Sequence, residues 1–265
     1  MFSLSLWERE IEGEGFTRRK KMHPILLKFG PFTIYSYGFM VASAFLSGIF
    51  LAAWLAKREN IPAEKIFDLA LYVLLSSIIG ARIFYVIEFW RDYITNPISA
   101  LFIWQGGLVF YGGLIFAIAA IFVYARITNV PSLKLFDIIS PATALGYAIG
   151  RIGCFLNGCC YGIETCVPWA VKFPNISGLR HPTQIYASIA GFLICGLLLF
   201  LFGRKRFDGQ IFTIGLILYS VYRFLIEFIR VNPRYLLVLS EAQWGSALIF
   251  AVALVIYFKL SKKKP

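Results

Sequence analysis

The stretch Thr183-Gln-Ile-Tyr-Ala-Ser-Ile-Ala-Gly-Phe-Leu-Ile-Cys-Gly-Leu-Leu-Leu-Phe-Leu-Phe202 contains no charged residue. At about 1.5 Å per residue a helix of this length spans roughly 30 Å, the hydrocarbon thickness of a bilayer. Six further mostly apolar stretches lie at 36–56, 70–89, 107–125, 136–155, 211–228 and 244–258. The whole chain of 265 residues is 59% hydrophobic and only 15% charged, against about 45–50% and about 25% in soluble domains. No core of this size hides that much apolar surface, so the sequence predicts an all-α polytopic membrane protein of about seven transmembrane helices. The fourth stretch is interrupted by Pro141, Gly146, Gly150 and Gly153. Such breaks survive only where protein or a water-filled cavity satisfies the freed backbone, which places that span inside the bundle.

Charge sets the expected orientation. Twelve Lys and Arg fall on one side of the alternating spans: Lys57, Arg58, Lys65, Arg126, Lys134, Arg204, Lys205, Arg206, Lys259, Lys262, Lys263 and Lys264. The other side holds six: Lys28, Arg91, Lys172, Arg180, Arg230 and Arg234. By the positive-inside rule the amino end is expected outside and the carboxyl end in the cytoplasm. The segment 1–21 mixes five basic residues with Glu8, Glu10, Glu12 and Glu14, lacks an apolar signal-peptide core and precedes Met22. It is expected to be a non-native or disordered extension, with 22–265 forming one transmembrane domain. The net charge of +12 sits in short blocks between apolar stretches and not along one amphipathic face, which argues against nucleic acid as a partner.

Arg82, Arg151, Arg223 and Glu227 lie within spans, where translocon scales put a charge at about 2.5–3.5 kcal/mol. Arg223 and Glu227 at i,i+4, and Glu227 and Arg230 at i,i+3, have the spacing of an internal ion pair. No acid stands within helical reach of Arg82 or Arg151. Arg82 lies about 12 residues, or roughly 18 Å, along its span, and Arg151 and Arg223 are at comparable depth or deeper, so all three reach the expected outer half of the bilayer. An excess of guanidinium over carboxylate there suits an anionic phosphate ligand such as a phospholipid headgroup. Tyr37 and Tyr111 open spans at the same level and His181 closes the loop before the fifth, although tyrosines there also serve as interfacial anchors and a His before Pro182 as a loop residue. Gly106, Gly107, Gly112 and Gly113 flank Tyr111 and permit close approach of a headgroup or of another helix.

The most unusual segment is Gly150-Arg-Ile-Gly-Cys-Phe-Leu-Asn-Gly-Cys-Cys-Tyr-Gly162. It joins a membrane arginine to Asn157, an amide that both donates and accepts, in a glycine-rich turn where Asn157 could equally cap a loop. Four of the five cysteines, Cys154, Cys159, Cys160 and Cys166, fall in or just after it, and Cys195 lies in the fifth span. Neither Cys-x-x-Cys nor a Cys/His zinc spacing occurs among them, which argues against a metal site.

Taken together, Tyr37-Gly38, Gly80-Ala-Arg-Ile83, Tyr111-Gly-Gly-Leu114, Asp137 with Pro141, Gly150-Arg-Ile-Gly153 through Asn157-Gly158, Arg180-His-Pro-Thr-Gln-Ile-Tyr186 and Arg223-Phe-Leu-Ile-Glu-Phe-Ile-Arg230 form a recognisable series. From Met22 onward the chain resembles the bacterial prolipoprotein diacylglyceryl transferases. The resemblance implies a multi-pass enzyme of the bacterial cytoplasmic (inner) membrane. Its partners would be phosphatidylglycerol, membrane lipid and preprolipoprotein signal peptides bearing a lipobox cysteine, and it implies no cofactor and no metal. Arg151 then looks like the phosphatidylglycerol-binding arginine and Arg223 like a second essential one, while Asn157, Gly162, Tyr37 and His181 occupy positions linked to activity. Arg82, Gly113, Glu227 and Arg230 complete the expected substrate-binding set, with Tyr111 and His181 as candidates to relay the proton. Two departures stand out. Tyr111 replaces a histidine that some members carry, and Cys154 replaces an asparagine.

The chemistry this implies is attack of a substrate cysteine sulfur on the diacylglyceryl carbon, with glycerol 1-phosphate leaving. The chain's own cysteines would be bystanders. Two rivals are a transporter for an anionic solute and a thiol-redox membrane enzyme. A transporter would place charges at both depths and repeat its broken helices; neither feature is evident in the sequence.

Overall fold

Three of the seven long helices begin directly after a proline, at Pro62, Pro131 and Pro182. Proline has no amide hydrogen to leave unbonded at a helix start, and its fixed φ leads into the first turn. The computed structural model describes residues 22–30, 32–94, 96–174, 176–232 and 239–262; the segment 1–21, expected as an extension, lies outside them. The long helices are α1 (Ser36–Arg58), α2 (Ala63–Glu88), α3 (Phe110–Ile127), α4 (Ser132–Asn157), α5 (Thr183–Phe202), α6 (Gln210–Ile226) and α7 (Glu241–Lys262). All are long and apolar enough to cross a membrane, α6 together with the 3₁₀ turn that continues it to Ile229. Large apolar side chains on all of them except α4 face outward, as lipid requires and water forbids.

The all-α expectation needs one correction. An antiparallel hairpin precedes α1, pairing β1 (Ile25–Phe29) with β2 (Phe32–Tyr35). Branched and aromatic residues on either side of Gly30 favour paired strands, and the pairing satisfies the backbone of a segment too short to span. The second correction concerns the fourth span, which runs as one helix through Pro141. Its neighbours explain the continuity: α4 packs against α1, α3, α5 and α6, and Pro141 and Ala142 are buried among them. The expected central position of this span holds; its interruption does not.

The bundle has two unlike ends. At one, the close of α1, α3 and α5 and the start of α2, α4 and α6 bury a continuous apolar core that includes Leu55, Leu69, Ile121, Leu135, Ile138, Leu198 and Ile211. That end also carries a locked ionic cluster. Asp137, fully buried, accepts the backbone amides of Gly209 at 2.8 Å and Phe212 at 2.9 Å. Lys205 pairs with Glu59 at 2.9 Å, Asp208 at 3.3 Å and Asp137 at 3.5 Å. Burial disfavours the charge on Lys205, but the hydrogen bond to Glu59 and attraction to Asp137, Glu59 and Asp208 outweigh it and hold the ammonium above its ordinary pKa. The opposite end of the bundle is where the polar groups gather.

Candidate active site

Arg151 lies on the penultimate turn of α4, half-buried, with its guanidinium 4.8 Å from the centre of the Tyr147 ring. That is an i,i+4 contact on one helix face. No carboxylate among the described residues pairs with it. Gly153 lets α1 approach closely: a Cβ there would stand 2.9 Å from Met40 and 3.5 Å from the Tyr37 ring. Tyr37 is thereby held against the same turn. Asn157 ends the helix, exposed, and Gly158 caps it in the left-handed region at φ +75°, a conformation that costs glycine no steric penalty.

The second element is the end of α6. Arg223 forms an ion pair with Glu227, as the i,i+4 spacing suggested, and Arg230 reaches the same carboxylate at 3.9 Å. Glu227 is only 2% exposed and also accepts the Ser240 hydroxyl at 2.8 Å and the Asn232 amide. Tyr147 and Tyr222 join the two helices with hydroxyls 3.2 Å apart. Tyr219 meets Tyr147 edge-on at 5.8 Å and lies within electrostatic reach of Arg223, Arg151 and Arg230. Two guanidiniums thus share the Glu227 carboxylate, while Arg151, linked to α6 through Tyr147 and Tyr222, has none. This leaves two positive charges uncompensated, the arrangement an anionic group would complete.

The loop between α4 and α5 supplies the rest. Gly162 is the crossing point: its amide donates to the His181 carbonyl at 2.9 Å, it pairs as an isolated bridge with Arg230, and a Cβ would stand 2.8 Å from Thr183 and 2.9 Å from His181. His181 Nδ1 is engaged by the Tyr186 hydroxyl at 3.2 Å, which also accepts Trp169 Nε1 at 2.5 Å, so Nε2 is the nitrogen left for a substrate. Thr183 Oγ1 and Gln184 Nε2 donate to the Cys160 and Cys159 carbonyls at 2.7 and 2.5 Å, clamping the cysteine turn to the start of α5. A cavity of about 560 Å³ opens here, lined by Cys159, Cys160, Tyr161, Arg230 and Asn232 among others. The Cys154 and Cys159 thiols hydrogen-bond to Cys160 and, with attraction from Arg151 and Arg230, hold the Cys160 thiol down at about 5 against the effect of burial.

Three expected site residues stand elsewhere. Arg82 is only 8% exposed, and its guanidinium donates to the carbonyls of Ala100 at 2.7 Å, Gly106 at 2.7 Å, Gly107 at 3.1 Å and Ser99 at 2.9 Å. Its charge is absorbed by the loop between α2 and α3, four carbonyls doing what no acid in sequence could. Gly113 is buried at the α2/α3 crossing, where a Cβ would meet the Ser77 carbonyl at 3.1 Å. Tyr111 is 71% exposed, its ring meeting Phe110 at 5.8 Å; it faces away from the bundle. Conversely Tyr147, Tyr219, Tyr222, Asn232 and Ser240 were not singled out from the sequence. The tyrosines had a signal, since Tyr147 and Tyr219 each stand four residues before an intramembrane arginine. Asn232 and Ser240 had none, because only the chain reversal after α6 brings them to Glu227.

The family model described as prolipoprotein diacylglyceryl transferase matches residues 24–259. A phosphatidylglycerol–prolipoprotein diacylglyceryl transferase of Finegoldia magna is 39% identical over 229 residues, 86% of this chain and 91% of its own. The protein of that name from Clostridium tetani is 34% identical over 89% of this chain and 97% of its own, and that from Synechococcus elongatus 37% identical over 91% and 90%. The chain, with its seven apolar helices and arginine-rich end, belongs to the prolipoprotein diacylglyceryl transferase family.

Proposed function

We propose that the protein transfers the diacylglyceryl group of phosphatidylglycerol to the thiol of a prolipoprotein lipobox cysteine and releases glycerol 1-phosphate, the first step of lipoprotein maturation. The observation that carries the chemistry is the two-charge surplus of Arg151, Arg223 and Arg230 over Glu227. As the substrate sulfur bonds to the diacylglyceryl carbon, the carbon–oxygen bond to phosphate breaks and negative charge grows on the leaving group. Guanidiniums already in place stabilise that charge without reorganisation. Arg151 binds the phosphate, and Tyr147 packs against its guanidinium and fixes its direction. Arg223, held by Glu227, supplies the second positive charge, and Arg230 and Asn157 border the headgroup. Tyr37 closes the α1 side, and Gly162 keeps the loop close enough for His181 to reach the site.

The thiol proton must leave, because the thiolate is the nucleophile. His181 is the acceptor assigned here, since the Tyr186 contact at Nδ1 leaves Nε2 for the substrate and Tyr111 faces outward. Substrate cysteine supplies the nucleophile, so no covalent enzyme intermediate forms. The site lies at the outer face of the bacterial cytoplasmic membrane, with the amino end outside and the carboxyl end in the cytoplasm, which agrees with the twelve-to-six distribution of basic residues. An anionic-solute transporter is disfavoured by the family match and by the gathering of the surplus positive charge at one end of the bundle.

The direct test incubates purified protein with phosphatidylglycerol and a lipobox peptide. A peptide gaining the mass of a diacylglyceryl thioether, with glycerol phosphate in equal amount, is the expected result. Unchanged peptide with intact lipid binding would overturn it.

A further inference from the structure

Cys154, Cys159 and Cys160 do not have the spacing of a metal motif, yet the fold brings their three sulfurs within 4.8 Å of one another. The turn that does this is built from outside the thiols. Gly158 caps α4, the Cys159 amide donates back to the Cys154 carbonyl at 3.1 Å, and Thr183 and Gln184 fasten the next two carbonyls to α5. Cys160 sits at φ +64°, in the left-handed region that side chains other than glycine rarely adopt. That conformation directs the chain so that consecutive residues 159 and 160 both return toward Cys154.

We propose that Cys154, Cys159 and Cys160 bind one Zn²⁺ ion as a trithiolate whose fourth position opens to the adjoining cavity. Zinc–thiolate bonds of about 2.3 Å place sulfurs roughly 3.8 Å apart in a tetrahedral site, so the observed triangle needs only a slight contraction. A zinc ion with three thiolates carries one net negative charge, and Arg151 and Arg230, both within electrostatic reach of Cys160, offset it. The cavity lined by Cys159, Cys160, Arg230 and Asn232 provides the entry path and room for a water or an external thiol as fourth ligand. Cys166 and Cys195 lie outside the cluster and take no part. The site adjoins Arg151, Arg230 and the cavity of the proposed transfer site, but metal binding to the three thiols does not rest on that reading.

The test uses full-length reduced protein in detergent, titrated anaerobically with Co²⁺ and then Zn²⁺. The expected result is a thiolate-to-cobalt charge-transfer band that saturates at one equivalent and is displaced by one equivalent of Zn²⁺. Cys154→Ser, Cys159→Ser and Cys160→Ser should each abolish or weaken it at least tenfold, while Cys166→Ser and Cys195→Ser leave it intact. Should a serine variant misfold, zinc protection of the wild type against maleimide, mapped by mass spectrometry, reads the same site: residues 154, 159 and 160 are shielded and 166 is not. No band in folded protein with three free thiols, a band surviving the triple variant, or a disulfide within the cluster that forms without added oxidant and excludes the metal would each overturn the proposal.

Discussion

Arg151 and Arg223 are both intramembrane arginines, but their surroundings assign them different tolerances. Arg223 is held by Glu227, whereas Arg151 has only the Tyr147 face and neighbouring thiols. Its fork is therefore open to a ligand. Arg151→Lys keeps the charge and loses the planar, bidentate geometry. Transfer should fall at least about tenfold, equivalent to roughly 1.4 kcal/mol, in the assay with phosphatidylglycerol and peptide. Full turnover in the lysine variant would show that geometry at this position is immaterial. Tyr111 presents the opposite case. Because it faces outward, Tyr111→Phe should cost less than about tenfold, well below the roughly 10²–10⁴-fold of general-base removal. A drop beyond about a thousandfold with lipid binding unchanged would give the phenol the proton-transfer role that His181 is assigned here.

Two polar tethers act on whole elements. Arg82 joins the last third of α2 to the loop that leads into α3 by hydrogen bonds to four carbonyls. Arg82→Gln cannot reach all of them, and each bond from a charged donor is worth about 1.5–3 kcal/mol. Lower thermal stability and faster proteolysis of the 96–109 loop are expected, with loss of transfer following loss of structure. Unchanged melting and protease resistance with transfer abolished would instead return Arg82 to the substrate site. At the other end, Lys205 ties the α5–α6 turn to α1 and α4 through Glu59 and Asp137. Lys205→Met leaves Asp137 buried with only backbone amides for partners. Breaking such a pair costs up to about 3–5 kcal/mol, measurable as a lower melting temperature in detergent, while residual folded protein should keep its KM for lipid. A melting temperature equal to wild type would show the cluster to be dispensable.

Across the whole molecule, the apolar core and ionic lock occupy one end of the bundle and the open arginines the other. This polarity suits an enzyme that takes lipid and peptide from one face while the opposite end holds the helices together. The topological prediction follows from the basic residues. Reporter fusions after α7 should register as cytoplasmic, and fusions within the 161–180 loop as external. A cytoplasmic signal from that loop would place the arginine-rich end on the wrong side for an outer-leaflet substrate and overturn the proposed orientation.

Local composition decided the spans, because a helix in lipid must satisfy its own backbone and cover it with apolar side chains over a fixed length. Seven such stretches, the Arg223–Glu227 pair and the central place of α4 were all legible from spacing alone. What the sequence could not decide were contacts between groups far apart in the chain. Arg82, with no acid near it in sequence, reads as a ligand-binding arginine, and only the tertiary structure brings the loop carbonyls round to it; Gly113 required the α2/α3 crossing to show which neighbour its missing side chain admits. Asn232 and Ser240 reach Glu227, and the cysteines at 154, 159 and 160 reach one another, only through turns whose geometry is set by capping and by clamps from α5. Periodicity reports which face of a helix is apolar; which polar groups share a space depends on how the helix ends are joined.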